Sequence, residues 1–234
     1  MKTAIVTGAG GNLGQAVVKK FIEEGYQVAG TVTAREKGQI NLFTGGPATV
    51  GFEAVEVDLT DEDASEKFVD SFIEKNGGID VAVLTVGGFA MGKIAGTKTS
   101  DISKQYKLNF ETAYNIARPV FAQMMKQKTG RIFLTGSKPG LSSLNSKGMV
   151  AYSLAKSLIF RLAELMNEEA KGTGVITTVV VPGTIDTPQN RQSMPGAAFD
   201  NWVKPEVIAN AVYYYTTEEA NALREPILKL YNNS

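Results

Sequence analysis

Short, nearly continuous apolar runs alternate along the chain with longer segments in which apolar residues recur every three or four positions. The short runs are rich in β-branched residues: "TAIVT" (3–7), "YQVAGTV" (26–32), "FEAVEVD" (52–58), "IDVAVLTV" (79–86), "GRIFLTGS" (130–137), "GVITTVVVPG" (174–183) and "PILKLY" (226–231). They predict strands buried on both faces. The longer segments predict helices at 12–25, 61–78, 101–127, 149–172 and near 205–217. The segment at 61–78 carries acids in its first turn and Gly77-Gly78 at its end, as a capped helix should. Such alternation marks a parallel sheet covered on both faces. Residues 36–51, "EKGQINLFTGGPATVG", break the rhythm and predict a short or irregular crossover. The expected architecture is a single doubly wound (Rossmann) α/β domain over 1–234, with about seven parallel strands.

Composition narrows the chemistry. A chain of 234 residues buries roughly 70% of its unfolded surface and needs no staples. With 0 Cys and 0 His, disulfides, thiolate metal sites, cysteine nucleophiles and a serine–histidine triad are all excluded. No metal is expected, and acid–base work falls to Tyr, Lys, Asp or Glu. Lys+Arg and Asp+Glu are both 24, which argues against a nucleic-acid or anionic-membrane surface. No apolar run reaches the ~20 residues of a membrane helix. The first apolar stretch is too short for a signal sequence, so a cytoplasmic protein is expected.

Two local patterns carry chemistry. The first strand runs into "TGAGGNLG", Thr7 to Gly14. In a doubly wound sheet the ligand lies outside the carboxyl ends of the strands, and the first turn receives a phosphate on free N–H groups and the helix dipole. Gly8 permits a tight turn, Gly10 and Gly11 a close backbone approach, and Gly14 tight helix–strand packing. Asn12 stands where a third glycine would fall. Asn tolerates positive φ or opens and caps a helix, so the turn keeps its shape. Alone, the motif also fits a plain flexible turn. The second pattern, "YSLAK", puts Tyr152 and Lys156 on one helix face. An ammonium beside a phenol lowers the Tyr pKa from its usual ~10 and makes it a proton donor or acceptor. That spacing alone also describes an ordinary surface pair.

Taken in order, with Ser137 closing the strand before them, these residues resemble the short-chain dehydrogenase/reductase family over nearly the whole chain. That family places a Ser and then Tyr-x-x-x-Lys after a Thr-Gly-x-x-x-Gly-x-Gly turn. The resemblance implies hydride transfer between a nicotinamide dinucleotide and a small carbonyl or alcohol. It makes Tyr152 the general acid/base, Lys156 the residue that lowers its pKa and binds ribose, and Ser137 the group that polarises the carbonyl. Asn109, in "YKLNFETAYNIA", would hold a water of the proton relay. Cofactor contacts are implied at Thr7, Gly8, Gly10, Asn12, Leu13 and Gly14, at Asp58 and Leu59 near adenine, and at Val86 and Gly87. Pro182, Gly183, Ile185 and Thr187 of "VPGTIDTP" would surround the carboxamide. Ser137 is preferred to Ser142, Ser143 and Ser146 because the family's Ser sits at the strand end three residues before a glycine, here Gly140.

The chain also departs from that pattern. Strand four ends "LTVGG" instead of the family's Asn-Asn-Ala-Gly, which leaves Val86 to contribute its backbone. The stretch "TIDTPQNRQSMPGAAFDNW", with "VGGFAMG", is similar to dihydropteridine reductases and related bacterial reductases. This implies a substrate pocket shaped by Phe89, Asn190, Arg191, Met194 and Trp202, on loops around 88–100, 138–150 and 188–204. Dihydropteridine reductases generally lack the catalytic Ser present here, so quinonoid dihydropterin reduction stands as the alternative to carbonyl reduction. They prefer NADH through an acid ending the second strand. Here Val32 takes that place, and Thr33, Arg35 and Lys37 follow to receive a 2′-phosphate, so NADP(H) is expected somewhat ahead of NAD(H). A non-catalytic NAD(P) sensor is a third reading, though such proteins typically lose the Tyr or the Lys. The family also implies a homodimer or homotetramer through the helices at 101–127 and 149–172, whose outer faces carry apolar residues.

Overall fold

A computed structural model describes residues 1–37, 51–144 and 146–233. Its strands are β1 (Thr3–Thr7), β2 (Gln27–Val32), β3 (Phe52–Glu56), β4 (Val81–Leu84), β5 (Thr129–Thr135), β6 (Gly174–Pro182) and β7 (Ile227–Leu230). They form one parallel sheet in the order β3-β2-β1-β4-β5-β6-β7. Every residue of β1 and β4 is buried, because helices cover both faces and leave no solvent side to alternate toward.

The helices are α1 (Asn12–Glu23), α2 (Ala34–Lys37), α3 (Glu62–Asn76), α4 (Thr99–Tyr106), α5 (Thr112–Gln127), α6 (Lys138–Leu141), α7 (Val150–Glu169), α8 (Pro188–Ser193) and α9 (Pro205–Tyr214). On one face, Phe68, Val69 and Phe72 of α3, Ile116 and Val120 of α5 and Ile159 of α7 pack on Ile5, Ala82 and Ile132. On the other, Val17, Val18 and Phe21 of α1 meet Ile208 and Val212 of α9 over Val6, Val83 and Phe133. Full burial of each large side chain contributes about 1.5–3 kcal/mol.

The helix expected at 101–127 is not one regular helix. A π-turn at Lys107–Glu111 separates α4 from α5, and it contains the buried Asn109. The helix expected at 61–78 runs from an Asp61 cap, whose side chain accepts from the Ala64 N–H, to Gly77 in the left-handed conformation. Of the irregular crossover at 36–51, residues 38–50 lie outside the described residues, and the single turn α2 precedes them. The strand order reverses between β1 and β4, so the crevice at their carboxyl ends is where a ligand is expected.

Candidate active site

Two threonines staple that crevice. Thr85 Oγ1 donates to Thr7 O at 2.7 Å, and Thr85 N donates to Thr7 Oγ1 at 3.1 Å. Beyond this pair the chain turns at Gly8, whose φ of 65° is left-handed and suits only glycine without strain. The turn is tied to β2 through Thr31: Gly8 N donates to Thr31 Oγ1 at 3.2 Å and Ala9 N to Thr31 O at 2.9 Å. Helix α1 then starts against the turn so tightly that a Cβ on Gly14 would lie 2.1 Å from Gly8 O. Gly11 caps α1 with extended backbone and no side-chain hydrogen bond, which leaves the opening N–H groups uncapped by the protein's own side chains. Asn12 opens the helix. Its φ is not positive, and its side chain does not cap; Nδ2 donates instead to Gln189 Oε1 of α8 at 2.9 Å.

The uncapped end of α1 faces a cleft of about 620 Å³. Its walls include Gly8, Asn12, Leu13 and Gly14, Thr33 from the end of β2, Asp58 and Leu59 after β3, Val86 and Gly87 after β4, and Ile185 and Thr187 after β6. Most of the cofactor positions expected from the sequence therefore share one wall system. Thr31, Glu36, Thr60, Thr85, Leu108 and Thr112 line it as well and were not anticipated. Glu36 had a legible signal, because Thr33-x-x-Glu36 is a capping-box pattern; Thr31 and Thr85 had none. Asp58 Oδ1 accepts from Thr60 Oγ1 at 2.7 Å and Thr60 N at 2.9 Å, and these donors hold its carboxyl below its ordinary pKa. Pro182 ends β6, and Gly183 follows it, its N donating to Leu230 O at 2.8 Å.

The four side chains expected to carry the chemistry come from the π-turn, from the residue that follows β5 and caps α6, and from α7. Ser137 follows β5 and caps α6, with Gly140 N donating to its Oγ at 3.1 Å. Gly140 lets α6 lie on α7: a Cβ there would fall 2.6 Å from Lys156 Cβ. That close crossing sets Ser137 within hydrogen-bond reach of Tyr152. Burial pushes the Tyr152 phenol above its ordinary pKa, and the Ser137 hydroxyl partly offsets the rise. The lowering expected from Lys156 is absent, because the ammonium is directed elsewhere. Lys156 is buried, its Nζ donates to Thr135 O at 2.7 Å, and burial pulls its pKa down to about 8. Its Nζ and Asn109 Oδ1 lie behind Gly87, where a Cβ would meet them at 3.1 and 2.7 Å. Gly87 thus faces the cleft on one side and the Lys156–Asn109 pair on the other.

The residues expected around a substrate divide. Phe89 is exposed and stands edge-on to Tyr152, with ring centroids 5.1 Å apart. The loop after Phe89 is strapped to the start of α7, which carries Tyr152, with Gly92 N donating to Gly148 O and Val150 N to Gly92 O. Met194 is partly exposed at the end of α8. Asn190 is spent on its own segment, its Nδ2 donating to Ile185 O at 2.8 Å and its N to Thr187 Oγ1 at 3.1 Å. Arg191 forks onto Asp186 at 2.6 and 2.8 Å and lines a separate groove of about 700 Å³ between α1, α8 and α9. Trp202 is buried against Phe199, and Asn232 Nδ2 donates to its carbonyl. Arg191 and Trp202 therefore anchor the 184–202 segment and line no wall of the cleft.

The arrangement fits a dinucleotide. An anion would meet the uncapped N–H groups at the start of α1, and the glycines at 8, 11 and 14 leave that stretch of the cleft wall without side chains. Comparison with known proteins agrees. The model of the short chain dehydrogenase family matches residues 2–197. The 3-oxoacyl-[acyl-carrier-protein] reductase FabG of Buchnera aphidicola subsp. Acyrthosiphon pisum is 26% identical over 229 residues, 94% of this chain and 91% of the relative. The acetoacetyl-CoA reductase of Acinetobacter sp. is 28% identical over 192 residues, 80% of this chain and 75% of the relative. The solved structure of ElxO with NADP bound superposes with a TM-score of 0.89 at 21% identity, covering 98% of this chain and 96% of ElxO, a likeness of fold.

Proposed function

From the premise that this chain belongs to the short chain dehydrogenase family of oxidoreductases, we propose that it is an NAD(P)(H)-dependent reductase of a small carbonyl compound, working through Tyr152. The observation that carries the proposal is the Ser137 hydroxyl acting on the Tyr152 phenol, with Lys156 Nζ and Asn109 Oδ1 beside Gly87, a residue that lines the cleft. A nicotinamide dinucleotide, when bound, supplies or accepts the hydride. Gly8 to Gly14 would hold its phosphates, and Asp58 and Leu59 would lie at its adenine end. In reduction the Tyr152 hydroxyl donates its proton to the substrate oxygen, and in oxidation it takes that proton back. Ser137 has one proton to give, and would donate it to the substrate oxygen or to the phenolate as it forms. Lys156 is fixed by Thr135 O and presents its cation toward Gly87, where ribose hydroxyls would be held. Asn109 keeps the Gly87–Gly88 backbone in place.

The two reductases compared above are named for acyl-thioester substrates with a carbonyl, and that class heads the substrates to be tried. Quinonoid dihydropterin reduction is a second reading, supported by the Thr184-to-Trp202 block and by the aromatic edge that Phe89 offers beside Tyr152. Tyr152→Phe tests the mechanism. Turnover of a panel of 3-oxoacyl thioesters, simple ketones and quinonoid dihydropterin should fall by roughly 10²–10⁴-fold with nucleotide affinity retained. Survival of turnover would rule the mechanism out, and absence of turnover in wild type that still binds nucleotide would leave the sensor reading.

The sequence favours the 2′-phosphorylated cofactor through Thr33, Arg35 and Lys37, while Glu36 lines the cleft beside Thr33 and brings an acid to the same place. Among the described residues no helix is long and apolar enough to cross a membrane. Tyr106, Tyr114, Leu154, Leu158 and Leu165 are exposed on α4, α5 and α7, and they support assembly of copies of this chain through those helices. Light scattering that returns a monomer mass would exclude it.

A further inference from the structure

We infer that the substrate of this site is a carbonyl compound with an apolar body and a terminal anion, carboxylate or phosphate, and that Lys93 and Lys147 receive the anion at the rim. This rests on the reductase reading of the site and names the class of substrate it takes. The first support is the distribution of charge. Acidic and basic residues balance at 24 each, yet no Asp or Glu occurs from residue 81 to 100 or from 112 to 163. Those stretches hold β4 and the loop after it, α5, β5, α6 and the opening turns of α7, the elements that carry Ser137, Tyr152 and Lys156. The acids bordering the first stretch are engaged: Asp80 Oδ2 accepts from Thr3 N at 2.7 Å, and Asp101 Oδ2 from Lys98 N at 2.8 Å.

Most cations of the two stretches are committed or remote. Arg118 pairs with Glu62 and Glu66, Arg161 with Glu164, and Lys138 stands over the Tyr231 ring. Lys156 is buried on Thr135 O, and Lys98 opens α4 beside Asp101. Lys126, Lys128 and Arg131 lie where α5 passes into β5, at the amino ends of the strands and away from the site. Lys93 and Lys147 remain, both exposed and neither ion-paired among the described residues. The backbone strap sets them side by side. Lys93 follows Gly92, Lys147 precedes Gly148, and Gly92 N donates to Gly148 O at 2.6 Å. The loop that carries Lys93 also presents Phe89, Met91 and Ile94, which are 58%, 66% and 77% exposed, an apolar surface of the kind that marks a contact to be covered. Phe89 stands against Tyr152, and Met91 Cε lies 3.4 Å from where Gly148 would carry a Cβ. An apolar strip thus leads from the Tyr152 ring out to two ammonium groups. A small neutral carbonyl compound would leave that strip bare, whereas an amphiphilic anion covers it and meets opposite charge at its far end. A lysine ammonium is a point charge, so carboxylate and phosphate share this chemistry.

The test measures kcat and KM, at saturating nucleotide, for aryl ketones ending in a carboxylate, for the same ketones ending in a phosphate monoester, and for the methyl esters of the carboxylates. Wild type should reduce the anions with a kcat/KM about three- to tenfold above the esters, carried by KM. The advantage should shrink as sodium chloride is raised from about 0.01 to about 0.5 M. Lys93→Gln combined with Lys147→Gln should bring the ratio of anion to ester to about one. Lys126→Gln, which removes a charge at the opposite end of the sheet, should leave the ratio as in wild type. Esters reduced as well as their acids by wild type, or a ratio that the double variant does not move, would overturn the inference while the reductase reading stands. Absence of turnover with every ketone, in wild type that binds nucleotide, would overturn the reductase reading and this inference with it.

Discussion

The carboxamide of Asn109 pairs in both directions with the backbone of Gly88: Nδ2 donates to Gly88 O at 2.9 Å, and Gly88 N donates to Oδ1 at 3.0 Å. Nδ2 is shared with Gln105, whose Oε1 and O accept at 2.9 and 3.2 Å. A loop just past β4 is thereby held to a helix as one strand is held to another. The π-turn around Asn109 is what brings the side chain to that depth, and π-turns inside helices commonly mark functional positions. Asn109→Leu takes away the partners of the half-buried N–H and C=O of Gly88, and should cost about 1–2 kcal/mol by urea unfolding. Asn109→Asp keeps the acceptor and loses the donor. An unchanged unfolding midpoint in the Leu variant would show that Gly88 finds other partners.

Ser137 serves two partners at once, the Gly140 N–H and the Tyr152 hydroxyl. Ser137→Ala should therefore lose about 1 kcal/mol of stability as a missing cap. Its turnover should fall by far more than that stability loss explains. Steady-state kinetics beside thermal unfolding separates the two effects; equal, small losses in both would reduce Ser137 to a cap.

Burial holds Lys156 near pKa 8 against an ordinary 10.5, so the folded state releases this proton first as pH rises. Below about pH 8 the full penalty, roughly 3 kcal/mol, weighs on the fold, and it fades between about pH 8 and 10.5. Stability of wild type relative to Lys156→Met should accordingly rise by about that amount over this window, measured by urea unfolding at stepped pH. A difference that stays flat with pH would mean that the ammonium is better solvated than its burial implies.

Gly14→Ala would drive a Cβ to 2.1 Å from Gly8 O and 2.7 Å from Gly8 C, backbone atoms that cannot step aside. The loss should exceed about 3 kcal/mol and should abolish nucleotide binding. Gly96→Ala is the control. Nothing lies within 4 Å of its Cβ, so stability should stay within about 0.5 kcal/mol.

The sequence by itself determined the seven strands, the turn from Thr7 to Gly14 and the order Asn109, Ser137, Tyr152, Lys156. The strands are read from local period, which a strand buried on both faces imposes wherever it occurs, and the turn and the four side chains from their resemblance, in order, to a family pattern. Only the tertiary structure decided the rest. It interrupted the long helix at Lys107–Glu111, because Asn109 reaches a glycine backbone beyond another strand. It turned Lys156 toward Thr135 O and let burial raise the Tyr152 pKa where the spacing alone foretold a fall. It committed Arg191 to Asp186 and buried Trp202 beside Asn232. It also laid Glu36 over Gly10, two residues 26 apart in the chain whose meeting depends on β1 lying beside β2. The physical reason is common to these cases. A side chain's partner and its desolvation are set by groups remote in sequence, and no periodicity along the chain encodes them.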